Sequence, residues 1–183
     1  MDRMVFFNIA WMKEYKGVTL NDIPVHGGSY IDENGYGAEV YNFQAYRGKM
    51  YGFVEAGWRP KPRHINIARL GASKQDESVS GVIVVWVARH CYGGGTLVVG
   101  WYKDATVYRQ RRYGPEGSNR KDPDGKDDPY FCEADCKNCY RIPPDSRNFS
   151  IPRGKDGLGQ KNIWYAESQL GKKTKAEVLK HIR

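Results

Sequence analysis

The chain has 183 residues, 40% of them apolar and 13% aromatic, with 29 Lys and Arg against 21 Asp and Glu. That is the length of one domain, with enough aromatic mass to bury a core, so disorder along the whole chain is excluded. Its longest apolar run, Val82–Ala88, falls far short of the roughly 18 residues of a membrane-spanning helix, and Met1–Ala10 lacks the cationic start and cleavage site of a signal peptide, so the expected location is the cytoplasm, with no membrane partner.

Val5–Met12 is a run of branched and aromatic residues whose length suits a strand. From Lys13 to Gly37 the chain turns to Gly, Asn, Asp and Ser, including Gly27-Gly28-Ser29 and Asn34-Gly35-Tyr36-Gly37. Such residues let backbone approach a ligand closely, which predicts a long functional loop. Glu39–Tyr46 and Lys49–Glu55 read as the strands of a hairpin turning at Arg47-Gly48. Pro60 and Pro62 interrupt before a short strand at His64–Leu70.

Gly81–Arg89 and Thr96–Tyr102, joined by Tyr92-Gly93-Gly94-Gly95, are nearly continuous apolar runs, the pattern of strands buried on both faces. Simple alternation places Leu97, Val99 and Trp101 on one face and Thr96, Val98, Gly100 and Tyr102 on the other. Gly100 marks a bulge or a close approach, and Ala105–Gln110 continues the sheet after a bend. Arg111–Asp135 is dense in charge, Gly and Pro, predicting a mobile surface excursion. Cys139–Ile142 and Asn148–Ile151 are two short strands and Asn162–Leu170 a helix. Thr174–Arg183 is a second helix behind a Thr cap, with Ala176, Leu179 and Ile182 at helical spacing. The expected organisation is a domain over residues 1–170 and a basic helix or linker over 171–183, leading to an effector domain of a longer protein.

The net charge of +8 is uneven: residues 1–90 carry +2 and residues 91–183 carry +6. Clustered cations gain free energy by displacing counterions from phosphate, which points to a polyanionic partner; the alternative is an ordinary solvated face. Arg109, Arg111, Arg112, Arg153 and Lys155, with Lys13 and Lys16, are the candidate phosphate contacts.

Catalytic patterns are scarce. The four histidines, His26, His64, His90 and His181, are scattered, and no G-x-S-x-G elbow is present. Cys132, Cys136 and Cys139 form C-x3-C-x2-C, which radical enzymes use for an iron–sulfur cluster, but such enzymes need a barrel this length does not supply. Zinc with Cys91 or His90 as fourth ligand is the better metal hypothesis, set against reduced, non-ligating thiols. No catalytic residue and no required cofactor is expected. What remains is a set of aromatics near polar, Gly-rich loops: Trp11, Tyr30, Tyr36, Phe43, Trp58, Trp86, Trp101 and Tyr102. Rings so placed stack on an extruded base; a Trp inside a buried strand, such as Trp86, reads instead as core.

The segments NIAWM (8–12), GGSYIDENGYGAEVYNF (27–43), INIARLGA (65–72), GVIVVWVARH (81–90), GGTLVVGWYKDATVYR (94–109) and RGKDGLGQKNIWYA (153–166) resemble an N-terminal module of bacterial modification-dependent restriction endonucleases. The mixed strand order and compact size are also similar to the PUA-like superfamily that holds EVE and YTH domains. This resemblance implies an α+β fold, a PUA-like curved mixed sheet or small β-barrel with peripheral helices. It implies a domain that binds double-stranded DNA and flips a modified base, 5-methylcytosine or a relative, into an aromatic pocket, while an endonuclease domain downstream cleaves. The cage is expected from Trp11, Tyr30, Phe43 and Trp101 beside Tyr102, with Asn8, Ser29 and Asn42 reading the base edge. The insertion at 114–136 departs from the family's pattern. Two rivals stand: an RNA-binding PUA-like module, and a small nucleotide-binding enzyme domain, for which the sequence offers no convergent titratable cluster.

Overall fold

A computed structural model describes residues 3–57 and 64–182, apart from the side chains of Ser29, Tyr30 and Asp32. Trp58 therefore lies outside the described residues. In chain order the elements are β1 (Arg3–Ile9), α1 (Ser29–Asn34), β2 (Ala45–Tyr46), β3 (Lys49–Gly52), β4 (Ser78–Arg89), β5 (Thr96–Tyr113), β6 (Pro129–Asp135), β7 (Cys139–Arg141), β8 (Ser150–Ile151), β9 (Ile163–Trp164) and α2 (Gln169–His181). The strands make one open nine-stranded sheet in the order β2-β3-β6-β5-β4-β1-β9, with β7 and β8 also pairing to β5. β1 runs parallel to β4; the other pairings are antiparallel. The fold is thus mixed α+β on a large open sheet. Among the described residues no helix is long and apolar enough to cross a membrane.

Strand alternation sorts β1 between two cores. Val5, Phe7 and Ile9 join Trp86, Tyr102, Phe43 and Phe131 on one face. Met4 and Phe6 join Val85, Val87 and Val98 on the other, where Val178 and Ile182 from the α2 region also pack. Burial on both faces is why β1 and β4 read as unbroken apolar runs rather than as alternating ones. Each large apolar side chain so buried contributes roughly 1.5–3 kcal/mol.

Several expected elements take another form. The hairpin turns at Arg47 and Gly48, both with positive φ as a two-residue turn of this hand requires, but Ala38–Tyr41 is a 3-10 turn rather than strand. Ile67–Leu70 is likewise 3-10. The Lys13–Gly37 segment contains the short helix α1, and Ile163–Trp164 pairs with β1 instead of starting a helix. α2 begins at Gln169, capped by Ser168, whose hydroxyl accepts from Gly171 N at 3.0 Å. Thr174 is internal to it and donates to Leu170 O.

The expected mobile excursion is anchored. Its two ends are strand, the last residues of β5 and all of β6. Between them Arg120, only 1% exposed, donates to the carbonyls of Tyr41, Tyr51 and Pro129 at 3.0, 2.8 and 3.1 Å. A buried cation spending its donors on three backbone acceptors ties the insertion to β3 and β6.

Candidate functional site

Among the described residues, the aromatic side chains expected to form a cage do not line one open pocket. Phe43 and Tyr102 are both core residues, edge to face with centroids 5.6 Å apart, and the Tyr102 hydroxyl donates to Asn42 O. Asn42 is wholly buried; its amide accepts from Phe53 N at 2.8 Å and donates to Phe53 O at 2.9 Å, so both ends are engaged within the fold. Trp101 lies on the opposite face, stacked on Tyr140 at 4.8 Å. The cause is a bulge: Trp86 pairs with Gly100 but Val87 pairs with Val98, leaving Val99 as an extra residue. That extra residue overturns the simple alternation, so Val99 and Tyr102 share one core while Val98 and Trp101 share the other. Gly100 is required there, since a Cβ would come within 2.5 Å of Phe43 Cζ and of Tyr140 O.

Trp11 is 6% exposed, with the His90 ring edge-on at 4.8 Å and the Arg147 guanidinium 4.6 Å from its own ring. Arg147 in turn donates to Met12 O, Lys13 O and Ile142 O. Both sides of the indole are thereby engaged. The side chains of Ser29 and Tyr30 lie outside the described residues.

A different group of residues lines a concave site at the end of β1. Two adjoining hollows, about 360 and 320 Å³, share Gly27, Glu39 and Asn162; each is of the size that holds a small organic ligand, roughly 300–1,000 Å³. Ile31, Tyr36, Phe53 and Arg111 line the larger, and Asn8, His26 and Gln160 the smaller. β1 supplies Asn8, whose backbone N–H donates to Asn162 O at 2.8 Å. The 3-10 turn after Gly37 supplies Glu39, and the end of β3 leads into Phe53. Gly27 makes the close fit possible: a Cβ there would stand 2.3 Å from Ile31 Cδ1 and 2.9 Å from Ala10 Cβ.

The polar groups of this site are unequally satisfied. Asn8 Nδ2 donates to Asn162 Oδ1 at 3.2 Å, and Asn162 Nδ2 donates to Glu55 O at 3.1 Å. Asn8 Oδ1 is buried and has no partner, which leaves one acceptor unsatisfied in a residue that lines the cavity. Glu39, 5% exposed, accepts from Ala10 N at 2.6 Å through Oε1. Burial, with Glu55 adding to it, pushes its carboxyl up to about 7 against the pull of that bond, so at neutral pH it is poised between donor and acceptor. On the opposite wall the Tyr36 hydroxyl donates to Asp128, and burial raises both groups. Of the residues singled out from sequence, Asn8, Tyr36 and Arg111 reach this cavity. Glu39, Phe53, His26 and Asn162 were missed; a carboxylate between Ala38 and Val40, inside an apolar run, was the signal available for Glu39.

The basic candidates divide. Arg109 is a loop clamp, donating to Asp76 O and Ser73 O, both at 2.9 Å, and Arg153 donates to Thr96 Oγ1 at 3.1 Å; these two are engaged within the fold rather than held free for phosphate. Arg112 lies over the Tyr108 ring at 4.1 Å. Lys13, Lys16 and Lys155 are exposed, on the same two loops that bring His26 and Gln160 to the cavity. Arg111 lines the cavity itself, with its Nε buried and unpartnered. The cysteines do not assemble a zinc site. Cys132 is buried in the core, and burial pushes the thiols of Cys132, Cys136 and Cys139 up, favouring the protonated form. Among the described residues no group of three or more His, Cys, Asp or Glu side chains is placed to hold a metal ion. Comparison with protein-family models, with curated proteins and with solved structures finds no match to this chain.

Proposed function

We propose that this chain is a DNA-binding domain that recognises a modified base, 5-methylcytosine or a relative, flipped out of the duplex into the Asn8–Glu39–Phe53–Asn162 cavity. The observation that carries this reading is the pairing, in one concave site, of a buried unpartnered acceptor, Asn8 Oδ1, with a carboxyl poised near neutrality, Glu39. A cytosine edge offers a ring-nitrogen acceptor beside an amino donor, the complement of a protonated Glu39 and Asn8 Oδ1. Tyr36 lines the adjoining hollow as a stacking surface, beside Phe53, whose ring is already stacked on Phe131 at 5.8 Å. Stacking at roughly 1–3 kcal/mol per base, with phosphate contacts from Arg111, Lys13, Lys16 and Lys155, offsets the few kcal/mol that flipping costs. On this reading the fold is a variant of the PUA-like type, the chain works in the cytoplasm, and cleavage of foreign DNA belongs to a separate nuclease domain downstream, the domain itself being no enzyme.

The test is a titration of the chain against matched duplexes that are unmodified or carry 5-methylcytosine, 5-hydroxymethylcytosine or N6-methyladenine, with the corresponding RNA as a further arm. A preference of tenfold or more, about 1.4 kcal/mol, for one modified duplex supports the proposal. Equal affinity for all four duplexes, or tighter binding to RNA, overturns it.

A further inference from the structure

One loop beside the cavity presents apolar side chains to solvent without packing them. Leu20 is 100% exposed, Ile23 58% and Val18 43%. The loop is nonetheless tightly held. Thr19 and Asp22 exchange backbone hydrogen bonds at 3.2 and 3.1 Å, so Leu20 and Asn21 form the tip of a two-residue turn. The Asp22 carboxylate, 7% exposed, accepts from Lys13 N at 2.6 Å and from Glu14 N at 2.7 Å, locking the turn to the chain that continues β1. Gly17 N donates to Val40 O at 2.9 Å, and Trp11 and Val25 exchange bonds at 2.8 and 3.0 Å. A fully exposed leucine on a pinned turn differs from a floppy loop residue: its position is fixed while its apolar surface is left unburied.

Six positions along the chain lead from Leu20 at the tip to His26, which lines the cavity, a reach of at most about 22 Å of extended chain. Exposed Lys13 and Lys16 flank the loop. A nucleotide rotated out of a duplex leaves a gap in the base stack, and proteins fill such gaps with apolar wedges, leucine and isoleucine among them.

We infer that Leu20 is a wedge that enters the base stack of duplex DNA where the flipped nucleotide has left it, with Val18 and Ile23 closing on the flanking sugars. This rests on the base-flipping reading proposed above. Tyr92, also highly exposed, is a weaker candidate because its ring already lies beside His90, with centroids 5.8 Å apart.

The experiment compares the full chain with Leu20→Ala and Leu20→Phe, by fluorescence anisotropy at fixed salt, on the modified base that gives the tightest binding in the titration above. That base is presented paired with its normal partner and, separately, opposite an abasic site, where the gap is already open. Leu20→Ala is expected to weaken binding to the paired duplex about tenfold and to leave the abasic duplex within about twofold, with Leu20→Phe restoring most of the loss. Equal loss on both duplexes, or no loss on either, overturns the wedge. So does a loss of self-association in sedimentation without any paired-specific effect, which would make the tip a contact between copies of the chain. If the wild type does not discriminate modified from unmodified DNA, yet Leu20→Ala shows the paired-specific loss, the modified-base reading fails and the wedge stands. If the wild type binds no DNA, both fall. Leu20 touches nothing in the fold, so both variants retain it.

Discussion

Glu39 is a buried carboxyl whose ionisation couples folding to pH. Its carboxyl is buried at the cavity wall, and desolvation lifts it from an ordinary 4.5 to about 7. In the unfolded chain the same group titrates near 4.5, so between these values the folded chain holds a proton that the unfolded chain has released. A raised acid of this kind contributes stability that is complete below about pH 4.5 and is lost as the pH rises through about 7; over the whole window the change is roughly 3 kcal/mol. Glu39→Gln keeps the shape and an acceptor for Ala10 N but does not ionise. Urea denaturation of both proteins from about pH 4.5 to about pH 8 should show the wild type losing roughly 3 kcal/mol relative to the variant. A difference between the two that stays constant across the range refutes the reasoning. Ligand binding gives the companion measurement. With Glu39 donating its proton to a ring nitrogen, wild-type affinity for the modified duplex falls about tenfold per pH unit above 7, while the variant has a flat profile. Affinity that rises with pH instead would assign Glu39 as an acceptor from an amino group, and a flat wild-type profile would remove it from the contact.

Asn8→Ala removes the unpartnered acceptor and its bond to Asn162; the expected result is binding to the modified duplex about tenfold weaker, with the modification preference, which the shared cytosine edge does not set, and the salt dependence both unchanged on matched duplexes. Trp101→Ala should leave that preference intact and destabilise the fold by about 2 kcal/mol in urea, because the ring packs in the second core; loss of preference without loss of stability would return Trp101 to the site. Gly27→Ala drives a Cβ into Ile31 and should cost about 1–3 kcal/mol of stability and weaken binding together, read by urea denaturation and titration on the same sample. Arg120→Met strips the donor from three carbonyls and should cost about 3 kcal/mol or more, with hydrogen exchange rising across residues 114–128.

The legible parts of this protein are those where a residue's own neighbours set the outcome. Two long apolar runs around Tyr92–Gly95 can only be a pair of strands covered on both faces, and Arg47-Gly48 between aromatic segments is a turn that positive φ favours. Gly100 announced a bulge or a close approach, and the structure has both. The consequence for Trp101 was not readable, because counting alternation past a bulge requires knowing on which strand the extra residue falls. Asn42 looked free to read a base; only the fold, by bringing Phe53 alongside, showed its amide already spent. Ala38–Tyr41 and Ile163–Trp164 are too short for periodicity to separate turn, strand and helix.

What the sequence by itself determined is an aromatic, basic chain able to bury a core, with a central pair of buried strands, a polar glycine-rich segment after the first strand, and its charge weighted to the second half. What only the tertiary structure decided is which side chains share a site. Asn8, Glu39, Phe53 and Asn162 are scattered over more than 150 residues of chain. They converge because the parallel pairing of β1 with β4, the hairpin of β2 and β3, and the pairing of β9 against β1 end at the same place. Local pattern encodes which face a residue prefers, whereas the burial that raises the Glu39 carboxyl and leaves Asn8 Oδ1 without a partner is set by chain arriving from elsewhere.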